Sequence, residues 1–313
     1  MKRKVIQIAN STQLISLPRK WSMKYGVKKG DELEVEEQGN TIVLSTEEGA
    51  QLGEKEINVT GLDRTTIIYY LQALYRVGYD EIKVVFNEPT AIHFRTNKKI
   101  NIISIIHTGV DRLIGYEVVQ QKENFCLIKN ISKSSIQEFD SVLRRIYLLL
   151  NDTSSDLAKE AKEMNLSLIE TIEEKHASIT KFISYCLRLL NKYGHHDHKK
   201  TIILFHIISS LDRVIDVLRD AGRDLLKIKH KLNGTTIQFF NFINQNIQLH
   251  SELFFKFDLG KVVEIYKNRN EMLNQLYQFR NKVPPDELVL SSKLEHIFEL
   301  LIDINVSRMG LGD

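Results

Sequence analysis

Cysteine, proline and long apolar runs are all scarce in this chain of 313 residues. The two cysteines, Cys126 and Cys186, lie 60 residues apart, which excludes a disulfide scaffold, a CxxC redox pair and a four-thiolate zinc site. No apolar run approaches the roughly 20 residues that a bilayer span needs. The basic start, MKRKVIQIAN, lacks the apolar core and cleavage site of a signal peptide. We therefore expect a cytoplasmic protein without membrane insertion.

Helix breakers are concentrated near the N-terminus. No proline lies between Pro89 and Pro284, and glycine is sparse after Ile131, so long helices are expected there. The net charge of +3 is too small to indicate a general polyanion binder. The motifs GxSxG, GxxxxGK[ST], GxGxxG and HExxH are missing, and we predict no enzymatic activity.

The first predicted domain, residues 1–50, has the pattern of two short hairpins around a short helix. Alternating residues 4–8 and β-rich residues 13–17 precede Pro18, residues 19–25 suit one or two helical turns, and two short strands follow. So few residues cannot bury a core alone. The domain therefore packs on the next one or intertwines with a second copy.

The second predicted domain, residues 53–131, has the pattern of a small α+β unit. Asp63 suits the N-cap of a helix that ends at Gly78. The other predicted elements are strands at 81–86 and 91–95, a helix at 100–113, and a strand pair at 115–121 and 125–129.

The third predicted domain, residues 132–313, is all-α. Apolar residues recur at steps of three and four and predict six helices with short links, at 136–164, 168–193, 199–232, 235–257, 261–282 and from Pro284-Pro285 to Gly310. Residues 211–220 (LDRVIDVLRD) align with residues 294–303 (LEHIFELLID), on the third and sixth helices. This repeat predicts two three-helix bundles in tandem.

Each copy of the repeat carries three carboxylates four residues apart, on one helix face: Asp212, Asp216 and Asp220 in the first, and Glu295, Glu299 and Asp303 in the second. Such oxygen-rich clusters suit hard cations. A solvated acidic stripe explains the same pattern, and both interpretations stay open. A di-iron bundle needs two Glu-x-x-His helices, whereas only Glu173 to His176 has that spacing, so an interface histidine is favoured.

The charges of the first domain are segregated along the chain. Eight basic residues precede the first acid, and an acidic block follows at Asp31, Glu32, Glu34, Glu36 and Glu37. A basic face on paired strands and a short helix suits the DNA backbone. Chance segregation on a solvated surface is the alternative.

Residues 1–48 resemble the SpoVT-AbrB DNA-binding module. The resemblance lies in LISLPRKW, at residues 14–21, and in YGVKKGDELEV, at residues 25–35. It implies a swapped-hairpin β-barrel built by two chains, which binds double-stranded DNA through basic residues of the first strands and the short helix. The residues in those positions are Arg3, Lys4, Arg19, Lys20 and Lys24.

Residues 132–313 resemble PhoU, a phosphate-uptake regulator built from two three-helix bundles. Asp212-x-x-x-Asp216 fits the family's acidic motif, and Glu299-x-x-x-Asp303 fits it in the second half. The resemblance implies divalent or ferric metal ions on both acidic faces and contact with the ATPase of a phosphate ABC transporter. The whole arrangement is similar to archaeal PhoU-type transcriptional regulators.

Together these features predict a homodimeric, DNA-binding transcriptional regulator of phosphate uptake, whose bundles sense phosphate status through metal or a partner. One alternative is an adaptor that does not bind DNA and restrains the transporter ATPase or a sensor kinase. The other is a metal-dependent enzyme in the bundles.

Overall fold

The computed structural model describes residues 2–8, 12–38, 41–46, 52–164, 167–195, 197–279 and 283–312. The chain divides into two compact units, Met1–Ala50 and Gln51–Asp313. The predicted domains 53–131 and 132–313 therefore share the second unit, and their status as separate domains stays a prediction.

Two hairpins and one short helix make up the first unit. The elements are β1 (Ile6–Ile8), β2 (Thr12–Leu14), α1 (Arg19–Lys24), β3 (Glu34–Gln38) and β4 (Thr41–Ser45). Strands β1 and β2 pair antiparallel, as do β3 and β4. The element order is the predicted one, and residues 39 and 40, between β3 and β4, lie outside the described residues.

The described residues of the first unit form no core of their own. None of its described side chains is buried, and eight large apolar side chains are exposed: Val5, Ile6, Ile8, Leu14, Ile15, Met23, Val35 and Ile42. Because exposed apolar surface of this density is unfavourable in water, the unit needs a covering surface.

The second unit begins with an α+β part. Its elements are β5 (Leu52–Asn58), α2 (Arg64–Val77), β6 (Tyr79–Val85), β7 (Thr90–His93), β8 (Lys98–Asn101), α3 (Ile102–Val110), β9 (Tyr116–Gln121) and β10 (Phe125–Asn130). The sheet order is β5-β6-β10-β9, with β5 parallel to β6 and the other neighbours antiparallel, while β7 and β8 form a separate hairpin.

Two strands of this part were not predicted. Strand β5, which has a charged sequence, pairs with β6, and α2 connects the two strands. Strand β8 includes residues 100 and 101, which were predicted to begin the helix at 100–113. The helix after Asp63 is confirmed: the Asp63 carboxylate accepts hydrogen bonds from the amides of Thr65 and Thr66. That helix ends at Gly78, whose φ of 112° is readily adopted by glycine.

Six long helices follow among the described residues, as predicted. They are α4 (Phe139–Glu163), α5 (Ile172–Tyr193), α6 (His198–Leu225), α7 (Gly234–Phe255), α8 (Leu259–Phe279) and α9 (Pro285–Gly310). Helices α4 to α6 pack on one another, and so do α7 to α9. The two groups meet through α6 against α9 and α4 against α7, so the two helices that carry the sequence repeat lie side by side.

Helix α6 ends earlier than predicted. It stops at Leu225 instead of residue 232, and the chain continues outside the helix while still burying Ile228 and Leu232. Because apolar residues continue at helical spacing beyond Leu225, the sequence predicted a C-terminal end of α6 that is seven residues too late.

The helical part and the α+β part share one hydrophobic core, which extends from Ile57 to Ile304. Helix α2 packs on α5, where Gln72 and Arg76 both donate hydrogen bonds to the Ser184 hydroxyl. A multidomain protein with a small N-terminal β domain, a β-sheet part and a large helical region is confirmed. No described helix is both long and apolar enough to cross a membrane.

Candidate nucleic-acid interface and acidic helix faces

The five predicted DNA-binding residues are exposed on the first unit. Arg3 and Lys4 lie two to three residues before β1, and Arg19, Lys20 and Lys24 lie on α1. None of the five forms an ion pair with a carboxylate among the described residues. Lys20 and Lys24 are one turn apart and therefore share a helix face. These cations are available to a polyanion.

Local sequence explains why α1 presents its cations. Helix α1 starts directly after Pro18, and the Ser22 hydroxyl donates a hydrogen bond to the Pro18 carbonyl. It ends before Gly26, whose φ is +67°. The following turn is closed by the Asp31 carboxylate, which accepts a hydrogen bond of 2.7 Å from the Lys28 amide. Asp31, the first acidic residue of the sequence, therefore stabilises this turn.

The first acidic triplet lies on α6 and is neutralised by cations. Asp212 pairs with Arg76 of α2 at 2.7 Å. An oxygen of Asp216 lies 2.8 Å from the His176 Nε2 atom of α5 and 2.9 Å from Arg219. Asp220 pairs with Arg223 at 3.0 Å and with Arg219 at 3.1 Å.

Asp216 is the best-neutralised member of this triplet. Burial would raise the pKa of its carboxyl, but the hydrogen bond with His176 and the charges of Arg219 and Arg213 outweigh burial and lower that pKa. His176 itself lies at the interface of α5 and α6, consistent with an interface histidine.

The second acidic triplet, on α9, has fewer partners. Glu299 accepts a hydrogen bond of 2.7 Å from Arg269 of α8. Glu295 and Asp303 form no ion pair or hydrogen bond with another described residue, and Asp303 is exposed. The two faces therefore differ, although their sequences repeat.

Neither triplet, as placed here, has the donor set of a metal centre. Among the described residues, no group of three or more His, Cys, Asp or Glu side chains could hold a metal ion. Arginine side chains occupy the space next to Asp212, Asp216, Asp220 and Glu299. The residues do not fit a bound metal in this arrangement, and metal binding stays a prediction.

Sequence reasoning did not identify the basic partners of the acidic faces. Arg76 is 136 residues from Asp212, and His176 is 40 residues from Asp216. No local spacing signals such pairs, because they form only when α2 and α5 pack against α6. Three further arginines, Arg64, Arg95 and Arg112, were also missed.

Comparison with known proteins identifies the class of the first domain. Residues 6–51 match the family described as "Antidote-toxin recognition MazE, bacterial antitoxin". The N-terminal domain is therefore of the MazE/AbrB type, as the resemblance implied. The match covers too little of the chain to assign the whole protein to a family, and no curated protein matches it significantly.

The chain is also similar to one solved structure, that of the phosphate transport system regulatory protein PhoU from Streptococcus pneumoniae. The identity is 17%, the TM-score is 0.41, and the similarity covers 56% of this chain and 93% of that one. At this score the likeness assigns neither a family nor a function. PhoU is nevertheless the protein type that residues 132–313 resemble in sequence.

Proposed function

We propose that this protein is a homodimeric, DNA-binding transcriptional regulator of phosphate uptake. One observation carries the DNA part: the five basic residues of the MazE/AbrB-type domain are exposed and lack carboxylate partners among the described residues. Unpaired surface cations bind DNA phosphates with release of counterions. DNA contacts of this kind position the protein, whereas base contacts specify the sequence.

The dimer part of the proposal follows from the missing core. Two first units that exchange hairpins into one β-barrel would cover the exposed apolar side chains of β1 to β4, such as Ile6, Leu14, Val35 and Ile42. A shared barrel would also bring two sets of basic residues to one DNA duplex, which doubles the number of phosphate contacts.

The phosphate part rests on the helical region. Two groups of three helices, with a repeated acidic motif on α6 and α9, agree with the sequence resemblance to PhoU. This region would sense phosphate status and change the geometry of the DNA-binding dimer. A contact with the ATPase of a phosphate ABC transporter belongs to the same proposal.

The salt dependence of DNA binding tests the proposal. The variant Arg19→Ala/Lys20→Ala removes four positive charges from a dimer, so the slope of log affinity against log salt should fall by about 2 to 4. The matched control is Lys159→Ala/Lys162→Ala, which removes the same charge from the exposed side of α4. Fluorescence anisotropy with a short duplex measures both. An identical slope for the variant and the wild type would contradict the assignment of these residues.

A further inference from the structure

A cavity of about 500 Å³ lies where the α+β part meets the α4–α6 bundle, within the second unit. The start of α2, the β7–β8 hairpin, the turn after α3 and the sides of α5 and α6 form its walls. Cavities of this size commonly hold small organic molecules. Its distinctive feature is a wall of five arginines, Arg64, Arg95, Arg112, Arg219 and Arg223.

Two of the five arginines are already neutralised. Arg219 pairs with Asp216 and Asp220 of the first acidic triplet. Arg223 pairs with Asp220 and makes a two-pronged contact with Glu173, at 2.5 and 2.9 Å. These pairs fix the α5–α6 side of the cavity and use up the carboxylate of Glu173.

The other three arginines lack such partners. The side chains of Arg64, Arg95 and Arg112 form no ion pair or hydrogen bond with another residue that the structure describes. Among the described residues that line the cavity, Glu174 is a carboxylate without an ion-pair partner. Three unpaired arginines therefore face one unpaired carboxylate. Partial loss of water, followed by the like charge of Arg64, lowers the pKa of Arg112.

Three unpaired guanidinium groups around one cavity repel one another, because they carry like charges. Arg64 is half-buried, whereas Arg95 and Arg112 are exposed, so a ligand from solvent can reach them. Guanidinium groups present paired donors that match the oxygens of phosphate, and they stay charged at any physiological pH.

The geometry points to a binding site for a small molecule that carries more than one phosphoryl group. The three unpaired arginines come from three separate elements that surround the cavity, so two phosphoryl groups of one ligand can each contact a different arginine. The cavity also has room and apolar surface beyond the arginines, contributed by Tyr69 and Ile68. An aromatic ring of this kind can pack against the organic part of a nucleotide.

The site is linked to the first acidic triplet. His176 and Arg219 line the cavity, and both contact the same oxygen of Asp216 on α6. An anion that attracts Arg219 therefore competes with Asp216 for it, and binding can alter the ion pairs between α5 and α6. The role of this ligand as the signal that the regulator senses rests on the proposed function. The binding of the anion itself does not depend on that function.

Calorimetric titration of the full chain tests the site without DNA. The titrants are inorganic phosphate, pyrophosphate and ATP, each without added metal. We expect pyrophosphate or ATP to bind at one per chain and more tightly than phosphate. The Arg112→Gln variant should weaken that binding about 10- to 100-fold, because it removes a charge-assisted contact. The matched control Arg145→Gln removes one exposed positive charge from α4, outside the cavity, and should bind as the wild type does.

Thermal unfolding of the ligand-free protein separates a binding role from a structural one. Arg112→Gln should unfold at the same or a higher temperature than the wild type, because it removes a cation that repels Arg64. Absence of binding by both pyrophosphate and ATP would overturn the inference. So would equal binding of phosphate and pyrophosphate, or unchanged binding in Arg112→Gln. Since DNA is absent from this experiment, failure here leaves the DNA proposal standing, and the salt-slope experiment can fail independently.

Discussion

Substitution of Arg188 by methionine should destabilise the second unit strongly. Arg188 belongs to α5, yet its side chain is only 1% exposed and lies within the α+β part. One guanidinium nitrogen donates to the carbonyls of Tyr75 and Tyr79 at 2.9 and 2.8 Å, and another bonds Asp80 at 2.6 Å. Methionine fills a similar volume, so the change removes the charge and donors with little new cavity.

The magnitude follows from the partners that lose a donor. Breaking a buried ion pair by removing one partner costs about 3–5 kcal/mol. Asp80 keeps a second cation, Lys192, at 2.7 Å from both of its oxygens, so its charge is not left alone. The Tyr79 carbonyl keeps the Tyr116 hydroxyl as a donor and the Tyr75 carbonyl keeps the Gly78 amide, so neither acceptor is left unsatisfied and the cost lies at the low end of that range. We therefore expect a loss of about 3 kcal/mol in the free energy of unfolding.

Urea unfolding with two probes measures this loss. Far-UV circular dichroism follows the helices, nearly all of which belong to the second unit, while the single tryptophan, Trp21, reports on the first unit. The dichroism transition should shift and the Trp21 transition should not. The control Arg145→Met changes an exposed arginine and should alter stability by less than about 0.5 kcal/mol. A shift as small as the control's would refute the role of Arg188 in joining the α+β part to α5.

Three further predictions concern the dimer, acid stability and metal. Ile6→Glu should convert the dimer to a monomer, because a charge replaces an apolar side chain that the barrel would cover; light scattering checks this, and a persistent dimer contradicts it. Burial lowers the pKa of His250 to about 4, against 6.5 for an ordinary histidine. The unfolded chain therefore takes up a proton first, and between pH 6.5 and 4 the wild type should lose about 3 kcal/mol more stability than His250→Gln loses, as urea titrations at each pH would reveal. A metal on the α6 face must displace Arg219 from Asp216, so Arg219→Gln should bind Mn²⁺ more tightly in equilibrium dialysis; equal retention by both proteins would argue against metal there.

Local patterns predicted most of the helices and turns, because their causes are local. Asp63 is the N-cap of α2, and Gly78, in the left-handed conformation, is its C-cap. Pro285 is the first residue of α9, where the backbone amide has no partner within the helix and its absence costs nothing. Elements with a non-local cause were missed. Strand β5 is rich in charge and is defined by its parallel pairing with β6, which the sequence of residues 52–58 does not signal.

The functional residues divide in the same way. Arg19 and Lys20 could be proposed because one short segment, with Pro18 before it and Gly26 after it, carries both the resemblance and the charge. The cavity could not be predicted from the sequence, because Arg64, Arg95 and Arg112 come from three elements that meet only in the folded chain. Buried Arg188 was missed for a related reason: on a helix, one arginine between apolar residues usually lies at the surface.

Sedimentation of the full chain with a short DNA duplex at low salt tests the central claim most directly. The account predicts a complex of two chains per duplex, formed through the paired first units, that dissociates as salt is raised. A single chain bound to each duplex, or a duplex that sediments as though the protein were absent, would contradict it.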